Sequence, residues 1–209
     1  MIIFFVLLPL FNPLLAQQQE YDDLRDALFS TSRLIGDTGP QSVNWIDDGQ
    51  RFSFTESSEN GSQVIKVYDP QQGEEEVVFN AENLTFPDTK EPFQYRSFQW
   101  TKDSEYLLFQ TRFRPIWRYS GISDYYYYSI EDKTLELVAD DAFTAEVSPD
   151  GTKVGYGKEG NLYVYDFASD TDTQLTFDAQ EQVYNGRFGW AYEEEFGLVQ
   201  AWQWSPDSR

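Results

Sequence analysis

The chain has no histidine and no cysteine in 209 residues. A Ser-His-Asp triad and a Cys-His pair are therefore excluded from these residues, and so are zinc sites of the His/Cys type. No Gly-x-Ser-x-Gly elbow occurs either. Basic residues are scarce, 15 against 36 acidic ones, leaving a formal net charge of −21. That field repels a phosphate backbone, so nucleic acid is not expected; no metal site and no cofactor is expected either. It favours cationic ligands, although most of an acidic surface serves solubility. A carboxylate-only mechanism of the glycosidase kind stays compatible with the composition.

Long apolar runs are missing except at the start. Residues 2–15 are nearly all apolar and end at Ala16 before three glutamines. The run is short for a bilayer span and stops at a small residue, which predicts a secretory signal over 1–16. The n-region lacks a Lys or Arg, so an uncleaved N-terminal anchor is the alternative. Export without cysteine suits a disulfide-free domain secreted to a bacterial periplasm. With aromatics at 18% the chain is too rich in rings for disorder and can bury a substantial core.

An internal repeat emerges when tryptophans are aligned. Trp45-Ile-Asp-Asp48-Gly49, Trp100-Thr-Lys-Asp103-Ser104, Val147-Ser-Pro-Asp150-Gly151 and Trp204-Ser-Pro-Asp207-Ser208 are four copies of one turn. Their anchors are 55, 47 and 57 residues apart. In each, a strand ends, a Ser-Pro-Asp-Gly type turn reverses the chain, and an apolar strand follows. Tyr-Asp strand ends recur at Val64–Asp69 and Leu162–Asp166, before Val77–Phe79 and Gln174–Thr176. Tyr125–Ile130 and Thr134–Val138 fill the same slots in the middle unit. This period, with four strands per unit, predicts an all-β fold: a partial β-propeller of about three and a half four-stranded antiparallel blades.

The expected organisation is a signal peptide at 1–16, then an N-terminal segment at 17–43. The partial propeller follows at 44–209. Leu24, Ala27 and Leu28 suit a short amphipathic helix within 20–35. Two insertions, 110–124 and 178–202, exceed what blade turns require and read as long loops, where function is usually placed.

The second insertion holds Trp190-Ala-Tyr192-Glu193-Glu194-Glu195-Phe196, three carboxylates clasped between rings. Phe188, Trp190, Tyr192 and Phe196 are expected to anchor the segment against a core. Carboxylates fixed in partly desolvated surroundings are costly unless a cation meets them, and a small ammonium group suits the role.

The stretch Val183-Tyr-Asn185-Gly186 through Phe196, with Trp202-Gln-Trp204-Ser-Pro-Asp207, resembles the dipeptidyl peptidase IV family of prolyl oligopeptidase-like serine peptidases. The match extends through Trp117-Arg118-Tyr119-Ser120 and covers roughly residues 20–209. The resemblance implies the N-terminal part of an eight-bladed propeller, ending before a downstream α/β-hydrolase domain that carries a Ser-Asp-His triad. By position, Glu194 and Glu195 receive the free N-terminal ammonium of a peptide substrate, within a clamp insertion at 183–200, and Arg118 contacts the substrate and steadies the glutamates. Catalytic residues are then none here. Glu193 reads as a solvated or structural neighbour, and Trp190 and Tyr192 as packing anchors.

The implied parent is a secreted exopeptidase that releases dipeptides with Pro or Ala at the second position, and it can dimerise. The open array of blades is expected to be marginally stable and inactive alone. A tripeptidyl peptidase of the same clan and a non-catalytic periplasmic propeller that binds peptides or envelope proteins are the alternatives.

Overall fold

The structure is a computed structural model and describes residues 23–29, 39–58 and 60–209. The signal expected at 1–16 lies outside them. The chain divides into two units between residues 39 and 40. In the first, helix α1 spans Leu24–Phe29, a short helix within the 20–35 stretch as expected, with Leu24 and Leu28 exposed. Among the described residues no helix is long and apolar enough to cross a membrane.

The second unit is all-β in its framework. Strands β1 (Gln41–Ile46), β2 (Arg51–Ser57), β3 (Gln63–Asp69) and β4 (Glu74–Asn80) form the first antiparallel sheet in sequential order. β5 (Ser97–Trp100), β6 (Tyr106–Pro115), β7 (Gly121–Ser129) and β8 (Leu135–Ala142) form the second. β9 (Ala145–Val147), β10 (Lys153–Lys158), β11 (Asn161–Asp166) and β12 (Thr171–Gln174) form the third. Three up-and-down four-stranded sheets in chain order are blades of a partial β-propeller, as the repeat predicted. One boundary moves: β1 begins at Gln41, ahead of residue 44.

Alternation along the strands explains how the blades stack. Leu107, Phe109, Tyr126 and Tyr128 face one cluster with Ile65 and Phe79 of the first blade. Leu108 and Tyr125 face the opposite cluster with Val154, Tyr156 and Tyr165 of the third. Successive residues of a strand point to opposite faces, so the middle blade is apolar on both and reads as a nearly continuous run. Phe79 meets Tyr128 edge-on at 5.1 Å and Phe109 at 4.7 Å, ring pairings that add to the area buried.

The second, third and fourth copies of the repeated turn share one geometry. Thr101, Ser148 and Ser205 hydroxyls donate to Asp103, Asp150 and Asp207 at 2.6, 2.7 and 2.6 Å. The residue after each Asp is left-handed: Ser104 at φ 60, Gly151 at 81, Ser208 at 61, with Gly49 at 82 in the first copy. Asp and Ser close local hydrogen bonds there, the reason these residue types recur in turns.

The tryptophans tie blade to blade. Trp100 Nε1 donates to Ser53 Oγ of the first blade at 2.8 Å, and Trp204 Nε1 to the Glu146 carbonyl of the third at 3.1 Å. Val147, the one anchor without an indole, instead donates its backbone N–H to Gln99 Oε1 of the second blade at 3.2 Å.

Candidate functional site

The two insertions meet, and neither is the plain loop expected. Residues 110–124 continue the ladder: β6 and β7 stay paired out to Pro115 and Gly121, leaving only 116–120 as a tip. Extended, ring-rich sequence favoured strand over loop. The ladder slips between Thr111 and Arg114, where Arg112 takes a left-handed φ of 46°. Such an irregularity bends a hairpin and re-aims its tip. The Arg112 guanidinium holds the bend. It grips both Asp88 oxygens at 2.8 and 3.1 Å, reaches Asp124 at 3.1 Å, and lies 4.0 Å from the Phe86 ring centroid.

Residues 178–202 carry helix α2 (Trp190–Phe196) on a closed neck. Phe188 N–H donates to the Val199 carbonyl at 3.1 Å and Ala201 N–H to that of Gly186 at 3.0 Å. Alanine and glutamates favour the helix. Gly197, left-handed at φ 66°, ends it by donating to the Glu193 carbonyl at 2.9 Å while Leu198 donates to Tyr192 at 3.2 Å. A positive φ at this position is what glycine supplies.

The orientation of α2 overturns the expected packing. Trp190, Tyr192 and Phe196 are 58, 53 and 70% exposed, so the rings do not anchor the helix in a core. The side chain facing in is Glu193, 1% exposed. Its Oε1 accepts the backbone N–H of Tyr119 at 2.7 Å and of Ser120 at 3.0 Å. The helix thus docks on a polar surface, the tip of the β6–β7 hairpin, where an acceptor is worth more than a ring. Burial opposes ionisation of Glu193, but hydrogen bonds from Ser120 and Tyr119 outweigh it and hold its carboxyl below the usual range.

The same contact brings Arg118 to the helix. Arg118 Nε lies 3.0 Å from Glu194 Oε2 and 3.3 Å from Oε1. Glu195 is exposed, and among the described residues no hydrogen bond or ion pair reaches it. The three carboxylates therefore differ: one is consumed in docking, one is paired with a guanidinium, and one is open. Tyr119 and Ser120, which act through their backbone, carry no sequence signal of that role. A cavity of about 260 Å³ beside the tip is lined by Tyr119, Ser120, Gln110, Tyr125, Thr144 and Gln200, with Arg118, Glu194 and Glu195 outside it. Among the described residues no group of acidic side chains is placed to hold a metal ion.

Four-stranded blades with a helix-bearing insertion docked on an extended hairpin define a partial β-propeller, and comparison with known proteins supplies the family. Residues 101–209 match the dipeptidyl peptidase IV (DPP IV) N-terminal region, and the chain belongs to that family. It is 29% identical over 176 residues to dipeptidyl aminopeptidase B of Saccharomyces cerevisiae, covering 78% of this chain and 20% of that one. It is 27% identical over 189 residues to dipeptidyl peptidase 4 of Sus scrofa, covering 88% and 23%. The crystal structure of Porphyromonas gingivalis dipeptidyl peptidase 4 superposes with a TM-score of 0.69 at 25% identity, over 91% of this chain and 27% of that one. The chain spans about a fifth of the length of the curated relatives it matches.

Proposed function

We propose that this chain is the N-terminal propeller portion of a secreted serine exopeptidase that releases dipeptides, with Pro or Ala second, from free peptide N-termini. Glu194 and Glu195 receive the substrate ammonium, and Arg118 steadies them. The Ser-Asp-His triad belongs to an α/β-hydrolase domain outside these residues, because the chain has no histidine to supply it. Residues 1–16 are the export signal, the propeller runs from β1 at Gln41 to residue 209, and 183–200 is the clamp.

The observation that carries this reading is the meeting of Arg118 with Glu194 across 76 residues of chain. The guanidinium paired with Glu194 balances one charge of the two carboxylates and leaves that of Glu195 for a cation. An ammonium offers three donors to the acceptors that remain. Two extended residues span about 7 Å, so a nucleophile at that distance from the carboxylates cuts after the second residue. A peptide with an acylated amine offers no charge and loses the site.

The test uses the full-length peptidase on Gly-Pro and Ala-Ala-Pro chromogenic substrates, with and without an N-terminal acyl block. Cleavage of Gly-Pro that is lost on acylation, and on Glu195→Ala, is expected. Cleavage indifferent to the block would refute the clamp, and release of Ala-Ala-Pro as the main product would make the enzyme a tripeptidyl peptidase.

A further inference from the structure

Arg118 stands on a five-residue tip with its side chain 64% exposed. An exposed ion pair is worth about 0–1 kcal/mol, too little to fix a tip against a helix. Something else must set the distance between Arg118 and Glu194. Among the described residues, the hydrogen bonds that join the tip to α2 beside that ion pair include those from the Tyr119 and Ser120 N–H groups to Glu193 Oε1. They are charge-assisted and shielded from water, and such bonds are roughly twice as strong as neutral ones. Within the tip, Ile116 and Trp117 N–H both turn back to the Ser120 carbonyl at 2.9 and 3.3 Å. The tip is therefore a closed turn whose last two N–H groups point at one oxygen, an arrangement suited to holding an acceptor.

We infer that Glu193 is the positioning residue of the site: its Oε1 docks α2 on the hairpin tip and thereby sets where Arg118 meets Glu194. Both N–H groups converge on a single oxygen, so the acceptor atom must be in place first, and its charge then strengthens both bonds. A glutamine carries a carbonyl oxygen in the same place and satisfies both donors. An alanine leaves two donors without an acceptor. An aspartate keeps the charge and withdraws the oxygen by one methylene. The consequence for substrate rests on the amine-clamp reading, whereas the docking itself does not.

The experiment compares Glu193→Gln, Glu193→Ala and Glu193→Asp in the full-length protein, by hydrogen exchange at the 116–120 segment and by steady-state kinetics on free-amine Gly-Pro substrate. Loss of the two bonds in Glu193→Ala is expected to speed exchange of the Tyr119 and Ser120 amides by about 10- to 100-fold, with exchange in the blade strands unchanged. KM is expected to rise by about tenfold or more with kcat little altered, since binding geometry and not chemistry is disturbed. Glu193→Gln, which keeps the acceptor and loses its charge, is expected to fall between wild type and Glu193→Ala in both readouts. Where alanine prevents folding, Glu193→Asp carries the same expectation of faster exchange. Unchanged exchange in the alanine or aspartate variant overturns the inference, as does a glutamine variant that behaves like alanine. Amine-independent kinetics in the wild type refute the clamp reading alone, because the exchange comparison still decides the role of Glu193.

Discussion

Arg118 Nε and Glu194 Oε2 lie 3.0 Å apart, although one residue sits in the second blade and the other in the insertion after the third. Neither belongs to the repeat. The repeat supplies a stack of blades stiffened on both faces of the middle sheet, and from that stack the β6–β7 hairpin and α2 reach toward each other. The proposed clamp is placed on the additions and rigidity on the repeated parts, the division expected of a loop-bearing scaffold. Pairing Glu194 with Arg118 keeps two adjacent carboxylates from opposing one another fully, and leaves Glu195 as the open charge.

Replacing Arg118 by alanine is expected to separate stability from function. The guanidinium is mostly solvated, so the thermal midpoint should move by no more than about 2–4 °C, the equivalent of about 1 kcal/mol in a domain of this size. In the full-length peptidase, loss of one charge-assisted contact of about 1.5–3 kcal/mol corresponds to roughly a 10- to 150-fold fall in kcat/KM on free-amine substrates. Calorimetry alongside kinetics checks both halves. A large fall in midpoint with kinetics intact would make Arg118 a structural residue.

Acid should weaken the base of the hairpin before it reaches the blades. The hydrogen bonds from Arg112 hold the Asp88 carboxyl at about 2, below the ordinary carboxylate range. A group depressed in the folded state stabilises above its unfolded pKa, and the contribution disappears as pH falls through the folded value. For Asp88 that window runs from about 4 down to about 2. The Asp88 side chain is 47% exposed, so the effect is modest. Asp88→Asn is expected to lower the midpoint at neutral pH, with the gap from wild type closing as pH drops to 2. A gap that stays constant with pH would show that ionisation of Asp88 contributes nothing.

The blades were legible because their signals are local. Trp100, Asp103 and Ser104 mark a strand end and turn by residue type alone, and Tyr125–Tyr128 alternates between faces as any strand must. The site was legible only in part. Clustered glutamates with flanking rings identify a segment, but not which carboxylate turns inward. That choice is made by the Tyr119 and Ser120 N–H groups, contributed by backbone 73 and 74 residues away in sequence. Backbone donors leave no trace in composition, so Glu193 read as a bystander and Trp190 and Tyr192 as anchors, the reverse of their burial. The hairpin over 110–124 was missed for a related reason: its strands extend a blade beyond the repeat, and length alone read as loop.

The repeat also provides an internal control for backbone strain. Gly49 and Gly151 occupy the same turn position at φ 82° and 81°. A Cβ at Gly49 meets nothing within 4 Å, whereas one at Gly151 comes to 2.9 Å from the Lys102 backbone nitrogen in the neighbouring blade. Gly49→Ala should cost only the left-handed strain, of order 1 kcal/mol. Ser104 and Ser208 already tolerate it at φ 60° and 61°. Gly151→Ala should cost visibly more, because the blade contact must open as well. Thermal midpoints of the two variants check this, and equal losses would mean that the second and third turns are not in firm contact.

The indole of Trp100 offers the sharpest test of how blades are joined. Its Nε1 donates to Ser53 Oγ at 2.8 Å, and Ser53 is fully buried in the first blade. Trp100→Phe keeps most of the ring but leaves that hydroxyl without its donor, at a cost of about 1–3 kcal/mol. Ser53→Ala leaves the indole N–H unpaired and should cost a similar amount. The double variant removes both polar groups together, so it should be less destabilised than the two singles combined, by about 0.5–3 kcal/mol. Chemical denaturation of the four proteins gives this coupling directly. Strict additivity would mean that packing alone, without the indole hydrogen bond, holds the second blade to the first.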